Sequence, residues 1–78
     1  MIRTKLLAII NRMLENKDES LLPSLEDSLS LRKNLGFDSL DLAEFTVHIE
    51  SEFGVDVFED GIVNTVSEVI QRITNGKK

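Results

Sequence analysis

The chain has 78 residues and a net charge of −5, room for one domain and a modest core, since a chain this short buries only about 60% of its unfolded surface. Cysteine is absent, which excludes a disulfide framework and a thiolate metal site, and no apolar run approaches the roughly 18 residues of a membrane span. Between Asn34 and Gln71 there are nine acids and no Lys or Arg, a negative field that disfavours phosphate-backbone binding and favours steering toward basic protein patches.

The first element expected is an amphipathic helix over Ile2–Leu14. Ile2, Leu6, Ile9, Ile10, Met13 and Leu14 fall at helical spacings, and Arg3, Lys5, Asn11 and Arg12 lie elsewhere around the wheel. The polar run Glu15–Ser20 ends it. From there to Phe37, Pro23 and four serines punctuate irregularly placed leucines. This reads as a long ordered loop with a helical turn near Leu25–Ser28. Its leucines are expected to lie over the open end of a small helical bundle and close the core.

The second helix carries the clearest boundary signals. Asp38 is a good N-cap because its carboxylate accepts first-turn N–H groups, and Asp41, at the third helical position, suits the positive helix end. The stretch Asp41–Phe53 is amphipathic, with Ala43, Phe45, Thr46, Ile49 and Phe53 expected inward. Asp41, Glu44, Val47, His48 and Ser51 are expected outward, and Gly54 supplies a left-handed C-cap. Val55–Phe58 has β-like composition but is too short to build a sheet. Glu59–Asn64 reads as a brief helix weakened by Gly61. Thr65-Val66-Ser67-Glu68 is a capping box. It starts a last helix with Val66, Val69, Ile70 and Ile73 inward, ending at Gly76. The expected fold is a small all-α four-helix bundle, with three main helices, one short third helix and a long first loop, in a single domain over residues 1–78.

Catalytic and metal chemistry lacks its parts. His48 is the only histidine and has no second ligand to complete a site. Asp56–Gly61 imitates the start of a calcium loop, but Phe58 and Ser67 stand where oxygen ligands belong. A catalytic serine needs a base within hydrogen-bond reach, whereas His48 is nine residues from Ser39, about 13 Å along a helix axis. Ser39 therefore reads as a place to attach something. It sits in the first turn of a helix, where a phosphate would meet the positive dipole end and free N–H groups.

The run from Leu35-Gly36-Phe37-Asp38-Ser39-Leu40-Asp41 through Glu44-Phe45, continued by Ile49–Val55 and by Asn64-Thr65-Val66 with the Val69, Ile70 and Ile73 stripe, resembles the acyl carrier protein family. The resemblance covers nearly the whole chain. It implies a four-helix bundle whose serine, here Ser39 flanked by Asp38 and Leu40, carries a covalent 4′-phosphopantetheine arm ending in a thiol. A magnesium-using phosphopantetheinyl transferase installs that arm from coenzyme A. The implied role is a cytoplasmic, monomeric, non-catalytic carrier that presents acyl thioesters to acyltransferases, ketosynthases and similar synthase enzymes. No nucleic acid and no membrane span belong to it. By position, Leu40, Asp41, Glu44, Val47, Glu50 and Glu52 match the family's partner-recognition surface, the acids facing basic patches on partners.

The chain departs from the family pattern at Arg32-Lys33-Asn34, where acids are usual, at Ser51, where a third acid is common, and at Phe58, where proline is common; the Glu59–Asn64 stretch also looks short, the first loop long and the overall charge mild. These bear on the pathway. Fatty-acid or related polyketide-type synthesis leads. An aminoacyl or peptidyl carrier of a nonribosomal or D-alanylation-type pathway, and an unmodified helical interaction module, stay open. Ala43 and Thr46 are small and near Ser39 in sequence, and with Ile62, Val66 and Phe53 they are expected either to admit an acyl chain between the helices or simply to pack.

Overall fold

The computed structural model describes residues 2–58, 61 and 63–76. Three helices carry the fold: α1 (Ile2–Asn16), α2 (Ser39–Phe53) and α3 (Val66–Gly76). α1 packs against both α2 and α3, and no strand occurs among the described residues. The domain is all-helical, as expected. Of the brief helix expected over Glu59–Asn64, residues 59, 60 and 62 lie outside those described, and Gly61, Val63 and Asn64 are not helical. Within that stretch Gly61 has φ 126°, and the Asn64 carbonyl accepts from the Leu31 N–H at 2.8 Å.

The core forms where the stripes converge. Leu6, Ile10, Met13 and Leu14 from α1 meet Phe45 and Ile49 from α2 and Val66, Val69 and Ile73 from α3. The inward stripe of α2 is narrower than the sequence suggested. Ala43 is exposed, because it lies two residues from Phe45 and so about 160° around the wheel. Leu42, three residues from Phe45 and about 60° away, packs against the core instead. Thr46 is half-buried and donates its hydroxyl to the Leu42 carbonyl at 3.0 Å, the local bond this side chain makes inside a helix.

The long first loop closes the bundle as expected, and its backbone is better organised than its composition suggests. Leu31, Leu35 and Phe37 are buried, and Leu22, Leu25 and Leu29 pack partly against the core, while Leu21 stays 53% exposed. A turn at Glu26–Leu29 is closed by the Leu29 N–H on the Glu26 carbonyl at 3.1 Å. A fuller turn follows at Ser30–Leu35: the amides of Asn34 and Leu35 both donate to the Ser30 carbonyl, and the Ser30 hydroxyl accepts from Lys33 N–H at 3.1 Å. Asn11 fastens the loop to α1, donating to the Leu22 carbonyl at 3.0 Å and accepting from the Leu22 N–H at 2.7 Å.

The loop also pairs with the segment leading into α3. Ser30 and Thr65 form an isolated antiparallel bridge. The amides of Val66 and Ser67 donate to the carbonyls of Leu29 and Asp27, each at 3.0 Å. These N–H groups open α3 and have no intrahelical acceptor. The capping box at Thr65 is present as expected, with Glu68 accepting from the Thr65 N–H at 3.0 Å and Glu68 N–H donating to the Thr65 hydroxyl at 3.3 Å. Amide donors from Asn64 and Thr65 hold the Glu68 carboxyl below its ordinary range.

Two helix ends differ from the usual chemistry. α1 closes in a Schellman motif: Glu19 N–H reaches the Leu14 carbonyl at 2.8 Å and Asp18 N–H reaches Glu15 at 3.1 Å. Its left-handed residue is Asp18, at φ 58°, where glycine is the common occupant. Replacing Asp18 with Gly is expected to stabilise the domain by about 1 kcal/mol through relief of the left-handed penalty, read as a higher urea midpoint at unchanged slope. At the last residue described in α3, Gly76, glycine is favoured for reasons of space: a Cβ there would lie 2.8 Å from Cγ1 of Val55. No helix among the described residues is long and apolar enough to cross a membrane.

Candidate functional site

The start of α2 is built from both sides. Upstream, Phe37 is buried and its N–H donates to the Leu31 carbonyl at 3.0 Å. Its ring lies 6.0 Å from that of Phe45, tilted by 58°. Gly36, one residue earlier, has φ 70°, and a Cβ there would meet nothing within 4 Å. The glycine is therefore needed for its backbone, because a side chain at that φ would be strained. Downstream, Asp38 caps the helix as expected. Its carboxylate accepts from Asp41 N–H at 2.9 Å, and the Asp41 carboxylate accepts from Asp38 N–H at 3.1 Å. The result is a reciprocal box made by two aspartates.

Ser39 is the first helical residue and is exposed. Among the described residues the N–H groups of Ser39 and Leu40 have no backbone acceptor. The contrast with α3 is direct, since the matching amides of Val66 and Ser67 are closed by loop carbonyls. The hydroxyl of Ser39 thus stands at the positive end of a helix whose first donors still point outward. His48 lies elsewhere on α2, half-buried, with Nε2 3.2 Å from Glu44 Oε2. It is turned to a carboxylate of its own helix.

α2 shows three further stripes besides the core one. Ser39, Ala43 and Thr46 lie at i, i+4 and i+7, hence on one line along the helix. They border an open groove of about 360 Å³ that Arg32, Leu42, Phe58 and Gly61 also line. Of the expected acyl pocket, Ala43 and Thr46 belong to this groove. Val66 is fully buried in the core, Phe53 does not line the groove, and Ile62 lies outside the described residues. The small residues open onto the surface rather than into the interior.

A second stripe, Leu40, Glu44, Val47 and Ser51, faces solvent. Leu40 is 81% exposed and Val47 63%, and exposed Glu50 flanks Val47 one turn on. The third stripe faces α1. There Asp41 and Glu52 do not stand as bare acids: Lys17 Nζ is 2.5 Å from Asp41 Oδ2, and Lys5 Nζ is 3.1 Å from Glu52 Oε2. The Asp41 side chain is only 16% exposed, which corrects its expected place on the outward face. The physical reason is that α1 brings its cations across to the basic-free half of the sequence. Lys17 also lies 5.9 Å from the Phe37 ring centroid. It escaped the sequence reading because nothing local links it to Asp41.

The Lys17 hydrogen bond holds the Asp41 carboxyl below its ordinary range, and the same bond raises Lys17. A depressed carboxyl stabilises the fold above its unfolded value of about 3.9, and that contribution fades as pH falls through the lower folded value. Lys17→Gln is therefore expected to raise the Asp41 pKa and to be less stable than the parent at neutral pH. The difference should shrink below about pH 4. Carboxyl NMR titration together with acid unfolding checks both halves.

Among the described residues no group of three or more His, Cys, Asp or Glu side chains is placed to hold a metal ion. A family model described as phosphopantetheine attachment site matches residues 4–73. The chain belongs to that family. The domain is accordingly a phosphopantetheine-bearing carrier, and it is a site of covalent 4′-phosphopantetheine attachment. The resemblance to acyl carrier proteins is thereby borne out. Carrier domains of this family are generally non-catalytic and imply partner synthase or transferase enzymes. No solved structure matches the chain. The start of α2 fits the group: an exposed hydroxyl, two outward amides for a phosphate, and a groove leading away from it.

Proposed function

We propose that Ser39 is the attachment residue and that the chain is an acyl carrier protein, a cytoplasmic monomer with the family's four-helix bundle, its short third helix included. One observation carries the assignment of Ser39: its exposed hydroxyl opens α2 beside two amides with no backbone acceptor, at the end of a groove. A phosphopantetheinyl transferase would join Ser39 Oγ to the pantetheine-bearing phosphorus of coenzyme A. The pyrophosphate bond breaks, 3′,5′-ADP leaves, and the hydroxyl proton passes to the transferase. When bound, the arm supplies a terminal thiol that holds acyl groups as thioesters. This chain's own residues present and orient that cargo. Tethering gives partner enzymes a high effective concentration of substrate without free diffusion.

The docking surface in this reading is the solvent stripe of α2. Leu40 and Val47 offer apolar contact, Glu44 and Glu50 meet basic residues on the partner, and Asp41 and Glu52 contribute less because Lys17 and Lys5 already balance them. Such rim charges chiefly speed encounter and fix orientation, which suits a shuttle that must release its partners. Fatty-acid or related polyketide-type synthesis leads as the pathway. The softened acidic face, with Ser51 and two lysine-paired acids, favours a specialised aminoacyl or peptidyl carrier as the second reading. Incubation with coenzyme A, magnesium and a broad-specificity phosphopantetheinyl transferase is expected to add the mass of one phosphopantetheinyl group. An unchanged mass would overturn the carrier reading.

A further inference from the structure

Arg32 sits on the Ser30–Leu35 turn and borders the same groove as Ser39, Leu42, Ala43, Thr46 and Phe58. Four other cations are already engaged: Arg3 with Asp27, Lys5 with Glu52, Lys17 with Asp41, and Arg72 with the Val57 carbonyl at 3.0 Å, and Arg12 and Lys33 do not line the groove. Arg32 enters none of the ion pairs among the described residues.

A phosphodiester on Ser39 Oγ is an anion placed beside Asp38 and Asp41, both carboxylates. Asp41 is balanced by Lys17, and the Asp38 carboxylate holds a backbone amide. The two open amides offer hydrogen bonds but no countercharge, and Arg32 is the only cation among the described residues that line the groove. A guanidinium suits the role because its planar fork matches phosphate oxygens in pairs. The remaining lining is largely apolar, and the groove's volume of about 360 Å³ falls within the usual range of small-ligand sites.

The geometry points to Arg32 as a positioning residue that pairs with the phosphodiester on Ser39 and lays the first part of the arm along the groove, over Ala43, Thr46 and Phe58. The inference rests on Ser39 being the attachment residue, and it goes further by making the base of the arm a held element rather than a free tether.

The test converts the wild type, Arg32→Gln and Arg32→Lys to their loaded forms, with mass spectrometry confirming each. The readouts are the Arg32 Nε–H resonance, the amide resonances of Ala43, Thr46 and Phe58, and phosphorus relaxation. In the wild type, loading is expected to shift Arg32 Nε–H and all three amides and to give a broad phosphorus line. In Arg32→Gln the three amide shifts lose most of their size and the phosphorus line narrows. Arg32→Lys restores part of both, since an ammonium keeps the charge without the fork. Amide spectra of the unloaded variants should match the wild type outside the Ser30–Leu35 turn, because Arg32 is exposed. Full mass gain at Ser39 with Arg32 Nε–H unmoved, or with the shifts intact in Arg32→Gln, overturns the inference and leaves the attachment standing. No mass gain in the wild type overturns both.

Discussion

Phe37→Ala is expected to cost about 3–5 kcal/mol of stability, the usual range for emptying a buried phenylalanine site. For a domain of 78 residues that is a large share of a total of roughly 4–12 kcal/mol, so the urea midpoint should fall steeply. The size of the effect follows from how many elements meet at this ring. Phe37 is 2% exposed, tilts against Phe45 of α2 at 6.0 Å and carries Lys17 over its face at 5.9 Å. Its amide holds the Ser30–Leu35 turn through Leu31. A cavity here is bounded by the loop, by α2 and by Lys17 just after α1, and no single element can collapse into it. Phe37→Leu should recover more than half of the loss, because most of the volume returns. Urea unfolding followed by circular dichroism checks both, and a loss under about 1 kcal/mol for the alanine variant would mean that the loop closes without its anchor.

What was legible in advance is what depends on neighbours in the chain. Asp38 and Asp41 at cap and third position, Gly54 at the end of α2, and Thr65 with Glu68 at the start of α3 are signals spanning three or four residues, and each forms as expected. The stripe of α1 and the buried set of α3 follow from helical period alone. What escaped depends on contacts across the chain. The Ser30–Thr65 bridge, with Leu29, Leu31 and Asp27 pairing to Val66, Asn64 and Ser67, closes a loop of some three dozen residues and leaves no local mark. The Ser30–Leu35 turn did leave one, Ser30 with Asn34, whose side chain accepts from the Ser30 N–H at 2.7 Å. Ala43 was misplaced for a different reason: a small apolar residue is compatible with either face, and only the angle to Phe45 and Ile49 decides it.

The candidate site divides in the same way. Ser39 and its cap are legible, because attachment at a helix start needs only local residue types. The charge state of the surface around it is not. Nine acids without a nearby Lys or Arg in sequence read as a bare negative face, yet folding brings Lys17 to Asp41 and Lys5 to Glu52. The exposed side of α2 therefore presents a line of Leu40, Glu44 and Val47, with its acids away from lysine at Glu44 and Glu50 rather than spread over the whole helix.

Ser39→Ala is expected to abolish loading while leaving the fold as stable as the parent to within about 0.5 kcal/mol. Both halves follow from the position. Ser39 is exposed at the first position of α2, and its hydroxyl closes no hydrogen bond to another side chain among the described residues. Alanine is the best helix former, and the cap resides in Asp38 and Asp41, so nothing structural leaves with the hydroxyl. Loading, by contrast, needs that oxygen in the proposed reading, where it is the atom that bonds to phosphorus. Asp38→Ala makes the opposite change. It keeps the hydroxyl, removes the cap at a cost of about 1 kcal/mol, and lets the first turn fray, so it should load more slowly but to completion. Intact mass after exhaustive transferase treatment, read beside thermal unfolding, separates the two: no mass gain with full stability for Ser39→Ala, full mass gain with reduced stability for Asp38→Ala. If Ser39→Ala still gained the full mass, the arm would be attached elsewhere, and the open amides at the head of α2 would no longer mark the place of attachment.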